Sequence, residues 1–526
     1  MLDMILDGAA VRKNIEETFD AVIIGSGAGG AVLAKELAEG GMKVALVEEG
    51  SYHKVGSHTD LPYEAVTRLY RDKGFTSTLG KPAIPIPMGR ALGGTTVINS
   101  GTCFRTPTDI FKHWNDDLGL QDLTEESFGP IFDRVEKEIN VSTASFDVMS
   151  RANIIFHELM MKQGFHGAPL RRNIKDCDGC GFCCYGCPKG AKQSMDVSYV
   201  PKAIGFGAKV FTNSKVETII LDGKRATGIV AKFQTPEGRA IGFKLTIHAR
   251  IVVLAGGTIP TPQLLQKNRI ARKNKNLGRH LTLHPATKVF ARFDEEVRGW
   301  EGTPQAYYSN QLKDHGITFE GIFVPPDVAA MTVPFVGRRL NEFMRDYKHM
   351  AAFGFLINDA STGRVMSLPL IGPTIFYDMQ PEDVEKIRKG VVFLARTFLQ
   401  GGARNVYTML HGYTELSSEA DVQRLENGPL RAEDVDCMAF HPLGTCRMGR
   451  SAATGVVGTD YKVFDYEGLY ICDGSVVPTS LGVNPQITIM AFATRFAFQL
   501  LGKTLSPRKP VESSNLASTH SQHSNP

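Results

Sequence analysis

The clearest hydrophobic pattern lies between Thr18 and Gly50. Ala21-Val22-Ile23-Ile24 is an unbroken apolar run, which predicts a strand buried on both faces. It leads into Gly25-Ser26-Gly27-Ala28-Gly29-Gly30, and the spacing beyond predicts a helix from about Ala31 to Glu39. Val44-Ala45-Leu46-Val47 predicts a second buried strand, stopped by Glu48. Further on, Phe111 to Val141 is charged and amphipathic and predicts helix, whereas Ala208 to Val216 alternates like a strand. Ile251-Val252-Val253-Leu254 predicts another buried strand, ending in Ala255-Gly256-Gly257. Leu469-Tyr470-Ile471-Cys472-Asp473-Gly474-Ser475 reads as strand then turn, and Ile487 to Leu501 as an apolar helix. This alternation predicts an α/β fold.

Gly25, Gly27 and Gly30 fit GxGxxG, whose glycines permit a tight turn, close approach to a pyrophosphate and close packing of helix on strand. The pyrophosphate would lie on the helix N-terminus, near Ala28, facing unpaired N–H groups. Glu48 then falls where a carboxylate accepts hydrogen bonds from the adenosine ribose, so a free 2′-hydroxyl is favoured. The fingerprint alone does not choose between NAD and FAD. In Pro85 to Gly101, the paired Gly93 and Gly94 let backbone approach something flat or charged, with Asn99 a neutral donor and acceptor beside it. The Ala208 to Val216 strand would bring a backbone edge to an adenine ring.

At 526 residues the chain can hold two or three folding units, and 42% hydrophobic content is ordinary for a globular protein. A net charge of +4 is small for this length and argues against a nucleic-acid groove. The first residues lack the basic start of a secretory signal, and no stretch reaches the roughly 18 apolar residues of a spanning helix. The expected location is cytoplasmic, with peripheral membrane contact left open. The segment Pro507 to Pro526, rich in Ser, Asn, His and Pro, is expected to be disordered.

Five of the nine cysteines crowd between Cys177 and Cys187. Cys177, Cys180, Cys183 and Cys187, followed by Pro188, have the C-x2-C-x2-C-x3-C-P spacing of bacterial ferredoxin ligands, with Cys184 a fifth thiol. An iron–sulfur centre is the leading expectation, although no second run exists to complete a two-cluster arrangement. A zinc knuckle or an unmetallated thiol loop are the alternatives.

Together Gly25 to Glu48, Gly89 to Asn99, Ala255-Gly256-Gly257 and His441 to Asn484 resemble, in order and over nearly the whole chain, the glucose-methanol-choline (GMC) flavoprotein oxidoreductases. Phe440-His441-Pro442-Leu443-Gly444-Thr445 and Gly482-Val483-Asn484-Pro485 are most similar to the cholesterol oxidase and long-chain alcohol oxidase branches. The resemblance implies FAD, bound through Gly25, Gly27, Ala28, Gly30, Glu48, Gly93, Gly94, Asn99, Val216, Gly256, Asp473, Gly474, Asn484 and Pro485. It implies a Rossmann-like FAD-binding domain in three pieces, 17–110, 205–290 and 435–505. A helical, cysteine-rich connection (111–204) and a sheet-containing substrate-binding cap (291–434) interrupt it, and the tail begins at 506. Members that attach FAD covalently use a histidine where this chain has Ile98, so noncovalent binding is expected.

The resemblance places His441 and Asn484 at the flavin ring. Oxidising an alcohol requires a base for the hydroxyl proton, and a neutral imidazole suits that task near pH 7. An amide such as that of Asn484 orients the hydroxyl and stabilises developing alkoxide charge. Asp473 is expected near the ribityl chain or pyrophosphate, or else as a turn aspartate, while His280 and His284 are read as structural. The expected activity is therefore oxidation of an apolar or bulky alcohol to an aldehyde or ketone. The electron acceptor, whether oxygen, a quinone or a redox protein, is left open. Runners-up are a sugar or polyol dehydrogenase, a hydroxynitrile lyase-like enzyme that keeps FAD without redox turnover, and an electron-transfer flavoprotein. The run Ile322 to Val336 reads equally as an apolar entry loop or as core.

Overall fold

Strand Ile15–Ile24 lies at the middle of the larger sheet because its last four residues, Ala21 to Ile24, are apolar on both faces and buried. The computed structural model describes residues 4–503 except 60 and 369–371; the tail expected to be disordered lies outside the described residues. Across this sheet the order is Ile5–Asp7, Lys209–Thr212, Val44–Val47, Ile15–Ile24, Ala240–Leu254, Arg225–Gln234 and Ser214–Asp222. The first five run parallel, and the last two close as an antiparallel meander. Leu469–Ile471 pairs in parallel with Val252 to Leu254, returning the end of the chain to its beginning. Helix Gly30–Glu39 packs on the sheet, and the apolar helix Gln486–Leu500 packs on that helix.

Two expected elements are divided, each at a residue with positive φ. The long helix becomes Thr108–Asp116 and Glu125–Glu138, broken around Gly119 (φ 66°) and restarted by a capping box between Thr124 and Ser127. The strand ending at Val216 becomes Lys209–Thr212 and Ser214–Asp222, with Asn213 between them at φ 49°, a conformation asparagine tolerates better than most residues. Val216 therefore lies in the antiparallel meander, opposite Ala231.

A second, antiparallel sheet forms the cap, in the order Glu415–Leu416, Asn405–Thr408, Ala286–Arg292, Met350–Ile357, Ile317–Gly321, Tyr307–Ser309 and Ala168–Pro169. Strand Ala286–Arg292 crosses the expected boundary at 290/291 and pairs wholly within this sheet, while Ala168–Pro169 joins it from the cysteine-rich connection. One face packs against helices: Phe353 stacks on Phe156 at 3.6 Å, and Phe319 meets Phe393 at 4.8 Å. The opposite face carries Thr318 and Glu320. Thr318 Oγ1 donates to Gly482 O at 2.8 Å, which ties this face to the segment just before Asn484. Two large apolar cores result, one per layer, with two small clusters beside them, and the site lies between the large ones.

Candidate functional site

The glycine turn is held by backbone contacts that no side chain could replace. Gly25 has φ 102°, and a Cβ on Gly30 would sit 1.9 Å from Gly25 O, so the helix starts directly against the strand. A Cβ on Gly27, by contrast, would meet nothing within 4 Å, which leaves open space at the turn. No side chain caps helix Gly30–Glu39 at its N-terminus; Ala31 N donates to Gly27 O at 3.0 Å, and the positive end of the helix faces the open turn, where it favours an anion. Gly93 and Gly94 close the turn from the other side; a Cβ on Gly94 would lie 2.9 Å from Gly27 Cα.

Glu48 is buried and accepts from Ser26 N (2.9 Å), Ser26 Oγ (2.6 Å) and Gly50 N (2.8 Å). Ser26 Oγ in turn accepts from Gly93 N at 2.9 Å, so the carboxylate links both glycine segments. Of a carboxylate's about four acceptor positions, one is left for a ribose hydroxyl. Burial raises the Glu48 pKa against the lowering by these donors.

Asp473 takes the turn role. Its carboxylate accepts from Gly257 N (2.8 Å), Thr261 Oγ1 (2.6 Å) and Ser475 N (2.8 Å), joining the Gly256-Gly257 loop to the returning strand. Gly474 packs beside Thr258, and Gly256 has room around it. Asn99 spans from its loop to the C-terminal helix, donating to Gln486 Oε1 at 2.9 Å and accepting from Gly101 N at 3.1 Å. Pro485 immediately precedes that helix. Ile98 is buried.

His441 and Asn484 meet, with Asn484 Nδ2 3.3 Å from His441 Nε2. A third residue, which the motifs do not mark, joins them from the cap: Glu320 Oε2 accepts from Asn484 Nδ2 at 3.3 Å and from Gln305 Nε2 at 2.6 Å. All five residues of its strand, Ile317–Gly321, are buried. An acid in such a strand is itself the sequence signal, since a buried carboxyl needs a partner or a neutral form. Here burial pushes its pKa up to about 8, only partly offset by Asn484, so Glu320 is protonated at neutral pH. Burial, with His284 as a second cause, lowers the His441 pKa well below 6.5, so its ring is neutral at physiological pH.

His441 Nδ1, Asn484 Oδ1 and Glu320 Oε1 are all buried without a hydrogen-bond partner. Three such atoms in one cluster mark a place built to face something other than the chain itself. His284 has a supporting role. It lies edge-to-face with His441 at 5.7 Å, and its Nε2 accepts from Leu481 N at 2.8 Å. That leaves Nδ1 protonated and donating to His441 O at 3.2 Å. Asp359 anchors this arrangement through Leu283 N, Ser480 Oγ and Tyr377 OH.

The cysteine loop gives the iron–sulfur expectation no support. All nine cysteines are free, and among the described residues no group of three or more His, Cys, Asp or Glu side chains is arranged to hold a metal ion. Three of the five thiols take separate partners: Cys183 Sγ accepts from Arg172 Nη2 (3.2 Å), Cys184 Sγ lies 3.5 Å from Ser100 Oγ, and Cys187 Sγ accepts from Lys192 N (3.5 Å). Burial raises the Cys183 pKa, but Arg172 and Lys192 outweigh it and hold the thiol below its ordinary value. Lys192 Nζ donates to Val97 O, Asn99 O and Cys183 O, so the loop braces the Gly93 to Asn99 segment. No helix among the described residues is long and apolar enough to cross a membrane.

This arrangement of sheet and glycine turn agrees with the comparisons. Residues 66–286 and 363–493 match the two GMC oxidoreductase family models, and residues 20–61 match an FAD binding domain. An uncharacterised GMC-type oxidoreductase of Mycobacterium tuberculosis is 33% identical over 492 residues, covering 93% of this chain and 77% of that protein. A long-chain-alcohol oxidase of Arabidopsis thaliana is 28% identical over 504 residues, covering 90% of this chain and 66% of the relative. Pyridoxine 4-oxidase from Mesorbium loti superimposes with a TM-score of 0.69 at 18% identity, over 91% of this chain and 98% of that one. The chain is a flavoprotein oxidoreductase, and it belongs to the GMC family. FAD fits the open turn at Gly27, the uncapped helix and the remaining acceptor on Glu48.

Proposed function

We propose that this enzyme oxidises a primary or secondary alcohol of apolar or bulky character to the aldehyde or ketone. The observation that carries this reading is the buried meeting of His441 Nε2 and Asn484 Nδ2, an acceptor and a donor side by side, with Glu320 behind the amide. When bound, noncovalently and with Gly25 to Gly30, Gly93, Gly94 and Glu48 around it, FAD supplies the acceptor for the carbinol hydride. The protein supplies the rest. A hydroxyl oxygen that displaces the contact between His441 Nε2 and Asn484 Nδ2 and lies between those two atoms has an acceptor for its proton and a donor for its developing charge. The hydroxyl proton goes to the neutral imidazole as the carbonyl forms. Protonated Glu320 holds the Asn484 amide through Oε2 without adding a negative charge next to the alkoxide.

The long-chain-alcohol oxidase relatives support an apolar substrate. Phe323, Val333 and Phe335 of the Ile322 to Val336 run are themselves buried in the cap core, whereas Met331 and Val336 are exposed. Anaerobic mixing with alcohols of graded chain length tests the reading. Bleaching of the flavin supports it; cyanohydrin cleavage without bleaching by any alcohol removes it in favour of a lyase.

Two variants sharpen the roles. Asn484→Ala is expected to cost about 2.7–4 kcal/mol in the transition state, read as a slower anaerobic flavin reduction at saturating alcohol. Glu320→Gln is expected to change the pH dependence of stability. The folded-state pKa of Glu320 is raised above the unfolded value, so its contribution is fully present below pH 4.5 and is lost as pH rises toward about 8. Unfolding free energy falls by up to about 1.4 kcal/mol per pH unit across that window. Denaturant unfolding at several pH values should show this slope reduced in the glutamine variant; an unreduced slope would show that Glu320 titrates normally.

A further inference from the structure

Two amides reach Glu320. Asn484 Nδ2 donates to its Oε2 at 3.3 Å, and Gln305 Nε2 donates to the same oxygen at 2.6 Å. The shorter contact sets the position of the carboxyl, and the longer one is held by that position. Gln305 lies in the cap, on the segment leading into strand Tyr307–Ser309, whose Tyr308 is opposite Glu320. Its other partner belongs to the FAD-binding domain: Thr102 Oγ1 donates to Gln305 Oε1 at 2.9 Å, which turns Nε2 toward Glu320.

These contacts close into a ring. Gln486 Nε2 donates to Thr102 O at 2.7 Å, and Gln486 lies just beyond Asn484 and Pro485 at the start of the C-terminal helix. From Asn484 the path runs through Glu320, Gln305 and Thr102 to Gln486 and back along the main chain, crossing between cap and FAD-binding domain twice. A closed ring leaves each member fewer ways to turn than an open chain, because moving one amide disturbs contacts on both sides. The backbone at Gln305 is held as well. The buried Asn153 amide donates to Thr303 O (3.3 Å) and Pro304 O (3.1 Å) and accepts from Ala306 N (3.3 Å) and Tyr307 N (3.1 Å), clamping the residues before and after Gln305.

Two N–H donors on Oε2 leave that oxygen to accept, so the proton of the neutral acid is on Oε1. Without Gln305 the carboxyl can turn over and present its O–H to Asn484 Nδ2, a donor facing a donor. We propose that Gln305 is a positioning residue for the oxidation: braced by Thr102, it fixes which oxygen of Glu320 meets Asn484, and thereby the direction in which Asn484 Nδ2 points. The role rests on the alcohol-oxidising reading, but the coupling of Gln305 to Glu320 is measurable without turnover.

In anaerobic flavin reduction, Gln305→Met is expected to lower the limiting rate about tenfold and to leave the half-saturating alcohol concentration within about threefold of wild type. In an Asn484→Ala background the same substitution should cost less than about twofold, because the amide it aligns is gone. Thr102→Val keeps the shape and lets the Gln305 amide turn; it should also slow the wild type and be equally silent in Asn484→Ala, and it serves if Gln305→Met fails to fold. Melting temperatures of the holoenzymes form a second cycle. Gln305→Met lowers the wild-type value, and lowers that of Glu320→Leu by less than about half as much, since the amide has by then lost its acceptor. A Gln305→Met rate within about twofold of wild type, rate losses that multiply in the double variant, or additive melting shifts would each overturn the proposal. No flavin reduction by any alcohol in the wild type removes the alcohol-oxidising reading instead, and the melting cycle then decides alone whether Gln305 holds Glu320.

Discussion

His441→Ala is expected to reduce flavin by alcohol about 10²–10⁴-fold more slowly than the wild type, the usual contribution of a positioned general base. The side chain stands 3.3 Å from Asn484 at the junction of cap and FAD-binding domain. Its low pKa keeps it in the proton-accepting form throughout the neutral range. A base of this kind loses activity on acidification, as the imidazole takes its proton from solvent, and not on a rise in pH from 7. The fold should survive the change. The conformation of the loop depends on main-chain contacts, with His284 Nδ1 donating to His441 O and Leu443 pairing with Thr282, and neither contact uses the His441 ring. Rapid-mixing absorbance at the flavin band reads the effect, and a rate within about threefold of wild type would remove His441 as the base.

Gly30→Ala has the second large expected effect, and it acts on the cofactor. The added methyl would lie 1.9 Å from Gly25 O and 3.1 Å from Ala255 Cβ, so the helix must withdraw from the strand. Gly25 backbone on one side and a short alanine methyl on the other leave no flexible group to absorb the overlap. Withdrawal moves the uncapped N-terminus away from the place of the pyrophosphate, and overpacking of this kind typically costs 1–3 kcal/mol in stability as well. The expected product is a colourless protein with a lower melting temperature; a variant that retains stoichiometric FAD would show that the turn tolerates a side chain. Gly27→Ala provides the contrast, because nothing lies within 4 Å of its Cβ in the protein itself. Any loss of flavin there reports the ligand and not the fold.

These two sites differ in how far the chain reveals them. The glycine turn is legible because its parts are neighbours: strand, turn, helix, second strand and Glu48 all lie between Thr18 and Gly50, with bounds close to those in the structure. His441 and Asn484 are 43 positions apart, and only a family resemblance links them before the coordinates do. Glu320 belongs to another domain, and its approach to Asn484 depends on how the cap docks through Thr318 and Gly482, which no local pattern encodes.

The cysteine run shows the converse. Its spacing is a ferredoxin spacing, yet spacing fixes the path of the chain and not the direction of each thiol. Arg172 and Lys192, both buried, lie beside this run, the first donating from its guanidinium to Cys183 Sγ and the second from its backbone N–H to Cys187 Sγ. A strand-breaking Asn213 and a helix-breaking Gly119 were each visible as residues, but the decision to use them came from packing.

The central claim is that His441 and Asn484 work on a carbinol whose hydride leaves for the flavin. Anaerobic single-turnover reduction by a primary alcohol and by its α-dideuterated form tests it most directly. The claim predicts bleaching with both, and a several-fold slower rate with the deuterated alcohol. No bleaching by any alcohol tested, sugars and sterols included, would contradict it.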